Sequence, residues 1–166
     1  MLLVSSSLKT QERGVANEIV AYSNKITKGR RSLHDGLMTS DSIKSMMILI
    51  AGPYRSGTND DSALIQRNVR EMESYALPIF RAGHIPILGE WLALPLVELA
   101  GSKHIGDDAF NEVFHPIAIR LLEKCDAVLR VGGASAGADE MVRVGRRLGL
   151  RIYKSLEEVP TALPRR

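Results

Sequence analysis

Two glycine-bearing loops hold most of the residues that could do chemistry. The first, Ala51-Gly52-Pro53-Tyr54-Arg55-Ser56-Gly57-Thr58-Asn59-Asp60, follows an apolar run. Gly52 and Gly57 permit a ligand to approach the backbone closely, Arg55 offers a planar fork for phosphate or carboxylate, and Tyr54 offers a flat face for a base. The same residues also suit a polar turn ahead of a helix, with Asn59, Asp60 or Asp61 as its cap. The second loop, Gly132-Gly133-Ala134-Ser135-Ala136-Gly137-Ala138-Asp139-Glu140, leads from another apolar run into a segment of helical period. Amides at a helix start carry partial positive charge, so a phosphate could rest among Gly133, Ser135 and Gly137. Gly132 and Gly137 have the spacing of a Walker A loop, but Ala138 and Asp139 stand where Lys and Ser or Thr are required, which excludes a P-loop NTPase. Neither Gly-x-Gly-x-x-Gly nor Gly-x-Ser-x-Gly occurs.

Other chemistries find little material. His34, His84, His104 and His115 have no metal-ligand spacing, so no metal is expected, and they read as packing or surface residues. The single cysteine, Cys125, excludes an internal disulfide and a Cys-x-x-Cys cage, and makes a reducing cytoplasm the expected compartment. Asp126 suits either a site or a polar strand end. Residues 1–45 carry seven Lys or Arg against four Asp or Glu, whereas 46–166 carry fifteen of each. The net charge of +3 therefore belongs to the first segment, and with eight aromatic residues in the chain no nucleic-acid polymer is expected as a partner. No secretion signal or membrane span is legible: Ser5-Ser6-Ser7 ends the first apolar stretch, and Pro95 and Glu98 interrupt Trp91 to Ala100.

The elements that must position the loops follow from apolar periodicity. The 166 residues, 45% apolar and 25% charged, suit one soluble domain. Residues 1–45 read as an appendage with a possible helix at about 11–26, and 159–166 as a loose tail. Between them, short apolar runs alternate with helical stripes, the pattern of β-α-β units and a parallel sheet. Strands are expected at 46–51, 84–88, 126–131 and 150–153. Ile65, Val69, Met72, Ala76 and Phe80 predict one helix of about twenty residues ended by Gly83. Pro86 marks its strand as an edge, and Phe110, Val113, Phe114, Ile117 and Leu121 mark an amphipathic helix that Pro116 should kink or delay. Further helices are expected at 90–99 and 137–148. Both loops then leave the C-terminal ends of parallel strands, where open α/β sheets bind ligands.

The segments AGPYRSGTND, CDAVLRVGG and SAGADEMVRVGRRLGLRIY resemble the nucleoside 2-deoxyribosyltransferase superfamily, and within it the 2′-deoxynucleoside 5′-phosphate N-hydrolases and small bacterial proteins grouped with them. The likeness covers about residues 46–155. It implies a flavodoxin-like or Rossmann-like three-layer sandwich, α/β, with a parallel sheet of four to five strands. It also implies a homodimer or higher homo-oligomer that cleaves the bond between a sugar and a nucleobase without metal or organic cofactor. In such enzymes a glutamate attacks C1′ and an aspartate manages the leaving-group proton, as in retaining glycosidases. By the same resemblance Ser135, Gly137 and Arg55 hold the 5′-phosphate, with Gly52, Pro53, Tyr54, Gly57 and Gly133 around the substrate, and Glu140 and Asp139 are the candidate catalytic carboxylates.

The chain departs from that pattern at both acids. The nucleophile position falls on Met141 and the proton-managing position on Ala118, with Glu140 one residue early. One residue turns a helical side chain by about 100°, and Ala138, Met141, Val142 and Gly145 share the inward stripe, so Glu140 is expected at its flank. Glu90 and Asp108 are possible substitutes that nothing in the sequence positions. The leading expectation is an N-glycosidase or deoxyribosyltransferase-like enzyme acting on a nucleoside 5′-monophosphate or related nucleotide. The alternatives are a catalytically silent nucleotide-binding module, a phosphoribohydrolase resembling the lysine-decarboxylase-like family, and a structural oligomer without ligand.

Overall fold

Side chains alternate between the two faces of a strand, and in β1 (Met47–Ala51) both faces are apolar. Ile48 and Ile50 enter one core, Leu49 and Ala51 the other. Such a strand must be covered on both sides, and this one lies inside a sheet of order β2-β1-β3-β4, all parallel. The partners are β2 (Ile85–Leu88), β3 (Ala127–Arg130) and β4 (Arg151–Tyr153). The computed structural model describes residues 43–162, and the expectations for 1–42, including the helix at about 11–26, lie outside them. Ile43 already packs on the first core, so the folded unit starts ahead of Met46.

Among the described residues five α-helices complete the layers: α1 (Ser62–Ser74), α2 (Ala76–Arg81), α3 (Gly89–Leu99), α4 (Asp108–Leu122) and α5 (Ala136–Arg147). Met72 of α1 and Ile79 of α2 close the core around Ile48, Ile50 and Leu129. Leu122 of α4 and Ala138, Met141 and Val142 of α5 close the opposite core around Leu49 and Val128, while α3 packs against α4. The result is a three-layer α/β sandwich of the flavodoxin-like or Rossmann-like kind, with four strands among the described residues. No helix among the described residues is long and apolar enough to cross a membrane.

The elements match the periodicity with three differences. The single long helix is divided at Tyr75 into α1 and α2, because Pro78 has no amide to bond the Ser74 carbonyl and its ring crowds that turn. Pro116 does not delay α4, which starts at Asp108; Asp107 caps it by accepting from the Phe110 amide at 2.7 Å. The segment expected to be a loose tail is tied in as far as Ala162: its amide donates to the Ala82 carbonyl at 2.7 Å, and Ala162 is buried. Pro86 does sit on an edge strand, opposite Ile48.

Two polar residues fasten the N-terminal edge of the sheet. Asp126 is a strand clamp, its carboxylate accepting from the Met47 amide at 2.7 Å. His84, 2% exposed, accepts from the Met46 amide through Nδ1 at 3.1 Å, and Nε2 lies 2.6 Å from the Pro160 carbonyl as donor. The ring thereby ties the start of β1 to the C-terminal segment. Replacing His84 by Ala leaves a void and two orphaned main-chain groups, and the expected loss is about 2–4 kcal/mol in urea denaturation. A loss within experimental error would mean that water or neighbouring groups replace both bonds.

Candidate functional site

Strand order reverses at β1, since β2 pairs on one side of it and β3 on the other. The loops leaving β1 and β3 must diverge there, and a cavity of about 240 Å³ opens between them. Its floor is the C-terminal part of β1. Its walls come from the first loop, the start of α3, one face of α4 and the start of α5.

The first loop is held by its own polar groups. Buried Thr58 donates its hydroxyl to the Arg55 carbonyl at 2.7 Å and accepts from the Asp60 amide at 3.2 Å. Asn68 of α1 donates to the carbonyls of Tyr54 and Ser56 at 3.0 and 3.3 Å. Of the three possible caps, Asp61 is the one used: it accepts from Ala63 and Leu64. Arg55 is paired through both Nε and Nη2 with Asp60, which lowers the Asp60 pKa and raises that of Arg55. Both side chains are about half exposed, so this fork orients the guanidinium more than it stabilises the fold.

The second loop is shaped by close packing. Gly132 has φ +70°, and a Cβ there would lie 2.7 Å from Cδ of Pro53. Gly52 is similarly confined, since its Cβ would meet Met72 Cγ at 2.8 Å. Arg130, unremarked in the sequence, braces the loop. It donates to the carbonyls of Val131 and, at 2.7 Å, Gly133, and to the Asp139 carboxylate at 2.9 Å. An arginine ending a strand nine residues before an aspartate has no distinctive sequence signal. Buried Ser135 caps α5, accepting from the Ala138 amide at 3.3 Å, and borders the cavity.

An aromatic wall faces these loops. Tyr54 and Phe114 have ring centroids 4.8 Å apart at 35°, and Phe110 stacks on Phe114 at 4.5 Å and 18°. His115 meets Phe114 edge-on at 5.7 Å. Phe110, Phe114 and His115 all border the cavity, and only the amphipathic stripe of α4 was legible beforehand.

Of the predicted substrate residues, Gly52, Tyr54, Arg55, Ser135 and Gly137 border the cavity, whereas Pro53, Gly57 and Gly133 do not. Pro53 packs on Gly132; Gly57, at φ +77°, and Gly133 are exposed. The two expected catalytic carboxylates also lie outside the cavity lining. Asp139 pairs with Arg130, and Glu140 pairs with Arg143 and, at 3.5 Å, with Arg147 along the outer side of α5. The reason is helical phase: Ala138, Met141 and Val142 take the buried face, so Glu140 falls beside it. Met141 and Ala118 do border the cavity. Asp108 is an exposed residue of the first turn of α4, outside the lining.

Glu90, in the first turn of α3, is the one carboxylate among the lining residues. Burial raises its pKa, partly offset by a hydrogen bond from its own main-chain amide. Burial also raises the Tyr54 phenol, with the nearby Glu90 charge acting in the same direction and Arg55 against it. The Cys125 thiol is pushed up to about 11, first by burial and then by Asp126, which disfavours the thiolate at neutral pH. Among the described residues no group of three or more His, Cys, Asp or Glu is arranged to hold a metal ion.

No protein-family model matches the chain, and no curated protein is significantly similar to it. The resemblance of its short motifs to the deoxyribosyltransferase superfamily therefore rests on those motifs alone.

Two outcomes follow from this geometry. Gly132→Ala forces an L-residue to φ +70° against Pro53, and should cost about 1–3 kcal/mol, read as a lowered denaturation midpoint. Glu90 favours its neutral form in the folded protein, so its contribution to stability is present below its ordinary pKa of 4.5 and is lost as pH rises through the elevated folded value. The stability of Glu90→Gln relative to the unaltered protein should accordingly be greater at pH 7 than at pH 4, as measured by paired urea titrations.

Proposed function

We propose that the cavity binds a nucleoside 5′-monophosphate or related nucleotide, and that the protein acts as a nucleotide-binding module. The observation that carries this reading is the pairing of two unlike walls around one cavity. Tyr54, Phe114 and Phe110 offer stacked aromatic surface suited to a base, and Ser135, Gly137 and Arg55 offer polar groups suited to a phosphate. The first amides of a helix have no acceptor within it, and Ser135 takes only that of Ala138, so those of Ala136 and Gly137 can serve an anion. Binding is favoured over displacement chemistry because Met141 and Ala118 put a thioether and a methyl group where the resemblance implies two carboxylates. A retaining mechanism needs a carboxylate within reach of C1′, and Glu140 is engaged with arginines elsewhere.

The N-glycosidase reading retains one specific support, the half-buried carboxyl of Glu90 on the cavity wall. A carboxyl whose pKa is raised by burial suits a general acid that protonates a departing base. Thermal unfolding with nucleoside 5′-monophosphates distinguishes the two. Saturating ligand, at about a hundredfold above Kd, should stabilise the protein by about 2.7 kcal/mol. Phe114→Ala should abolish most of the rise in Tm, and Glu140→Ala should leave it intact. Chromatography of the same mixtures should find no free base. Base release that survives Glu140→Ala and disappears in Glu90→Gln would establish the glycosidase instead. The absence of any thermal response to nucleotides would overturn both readings.

A further inference from the structure

Apolar side chains left in water gather at one edge of the sheet. Nine large ones are exposed among the described residues, and seven of them lie on α2, β2 and α3, three consecutive elements at the β2 edge. Phe80 at 61% and Leu99 at 83% are the most open of these. Single exposed apolar residues are ordinary, but such a gathering is not. Its centre is α3. Ala93 and Val97 form the buried side of this helix, and by helical spacing Trp91, Leu92, Pro95, Leu96 and Leu99 share the other side, all exposed. A surface helix ordinarily turns charge outward; this one is apolar on both sides, with Glu98 at the border of the outer stripe. The Trp91 indole donates to the Glu73 carboxylate of α1 at 2.9 Å, which brings the layer of α1 and α2 up to that of α3 across the β2 edge.

We propose that this edge is a docking surface for a second copy of the chain, with the two α3 helices packed outer side to outer side about a twofold axis. Size is the first argument. The seven side chains together expose on the order of 700 Å², near the about 800 Å² per partner that a stable interface covers and above the few hundred Å² that a lone soluble chain usually leaves open. Charge is the second. A twofold contact sets each residue against the same surface of its partner, so a charged patch would meet its own sign, and the outer stripe of α3 brings no charge there. Interfaces between identical chains are also the more apolar kind, with charges depleted from their centre. A lipid surface suits this edge less: a helix lying on one carries Lys or Arg on its polar side, and α3 has two glutamates and no cation. Assembly through this edge is independent of what the cavity binds.

Sedimentation velocity of the full chain across micromolar concentrations tests this. The mass should be twice that of one chain, and Leu96→Glu with Leu99→Glu, which sets like charges face to face, should weaken association about a hundredfold or more. Leu148→Glu, at an exposed apolar residue beyond α5, should leave the dimer intact. Because the face meets itself, the doubly Glu variant mixed with a Leu96→Lys, Leu99→Lys variant should dimerise again. Circular dichroism checks that each variant is folded. The chain's single tryptophan gives a reading that needs no variant: Trp91 emission should move to longer wavelength as dilution separates the copies. A monomer at every concentration overturns the proposal, and one that co-sediments with phosphatidylcholine vesicles would give the edge to a lipid surface instead. A dimer that the two Glu substitutions leave intact, a failure of the Glu and Lys variants to pair, or a dissociation that Trp91 does not register overturns it as well, by placing the contact elsewhere.

Discussion

The contact between Pro53 and Gly132 is the constraint on which the site depends. Parallel pairing of β1 with β3 sends two loops off the same end of the sheet, side by side. They can lie that close only because residue 132 has no side chain and takes a positive φ, and because residue 52 has none to push against Met72. Arg130 extends the same constraint, since one guanidinium holds two carbonyls of the second loop and an aspartate of α5 together. Amides at the α5 start, the Arg55 fork and the aromatic wall are thereby presented to one cavity. A ligand would meet a site already arranged, which lowers the entropy cost of binding it.

The electrostatics of that cavity come from what was left unpaired. Most charged groups near the two loops are matched locally: Arg55 with Asp60, Arg130 with Asp139, Glu140 with Arg143 and Arg147. Glu90, placed on the cavity wall where α3 follows β2 directly, has no salt-bridge partner among the described residues. Together with Met141 and Ala118, it gives the pocket one carboxyl group beside apolar side chains.

Much of the architecture was legible as period. Apolar runs of four to six residues separated by helical stripes leave few alternatives to a parallel sheet, and glycines with charged residues after two of those runs mark where a ligand would bind. The failures were local and had local causes. Pro78 divided a stripe that remained continuous in its apolar positions, and Ala162 is tied in by a hydrogen bond from its amide to the Ala82 carbonyl that no pattern announces. In the site, Glu140 was singled out for being near an expected position, yet a single residue of helical phase turns it to the outside, and that much the stripe of Ala138, Met141 and Val142 already indicated.

The sequence by itself determined the layers, the strands, the two loops and the apolar character of positions 141 and 118, because these depend on residue type and on spacing within one segment. Tertiary structure alone decided that Glu90, Phe110, Phe114 and Ser135 share a cavity, that Arg55 is held by Asp60, and that Arg130 braces the second loop. The shared cavity joins these residues across as many as forty-five positions, from Glu90 to Ser135, and exists only once crossover connections have brought separate strand ends together. The Arg55 and Arg130 contacts, by contrast, are local but carry no distinctive sequence signal.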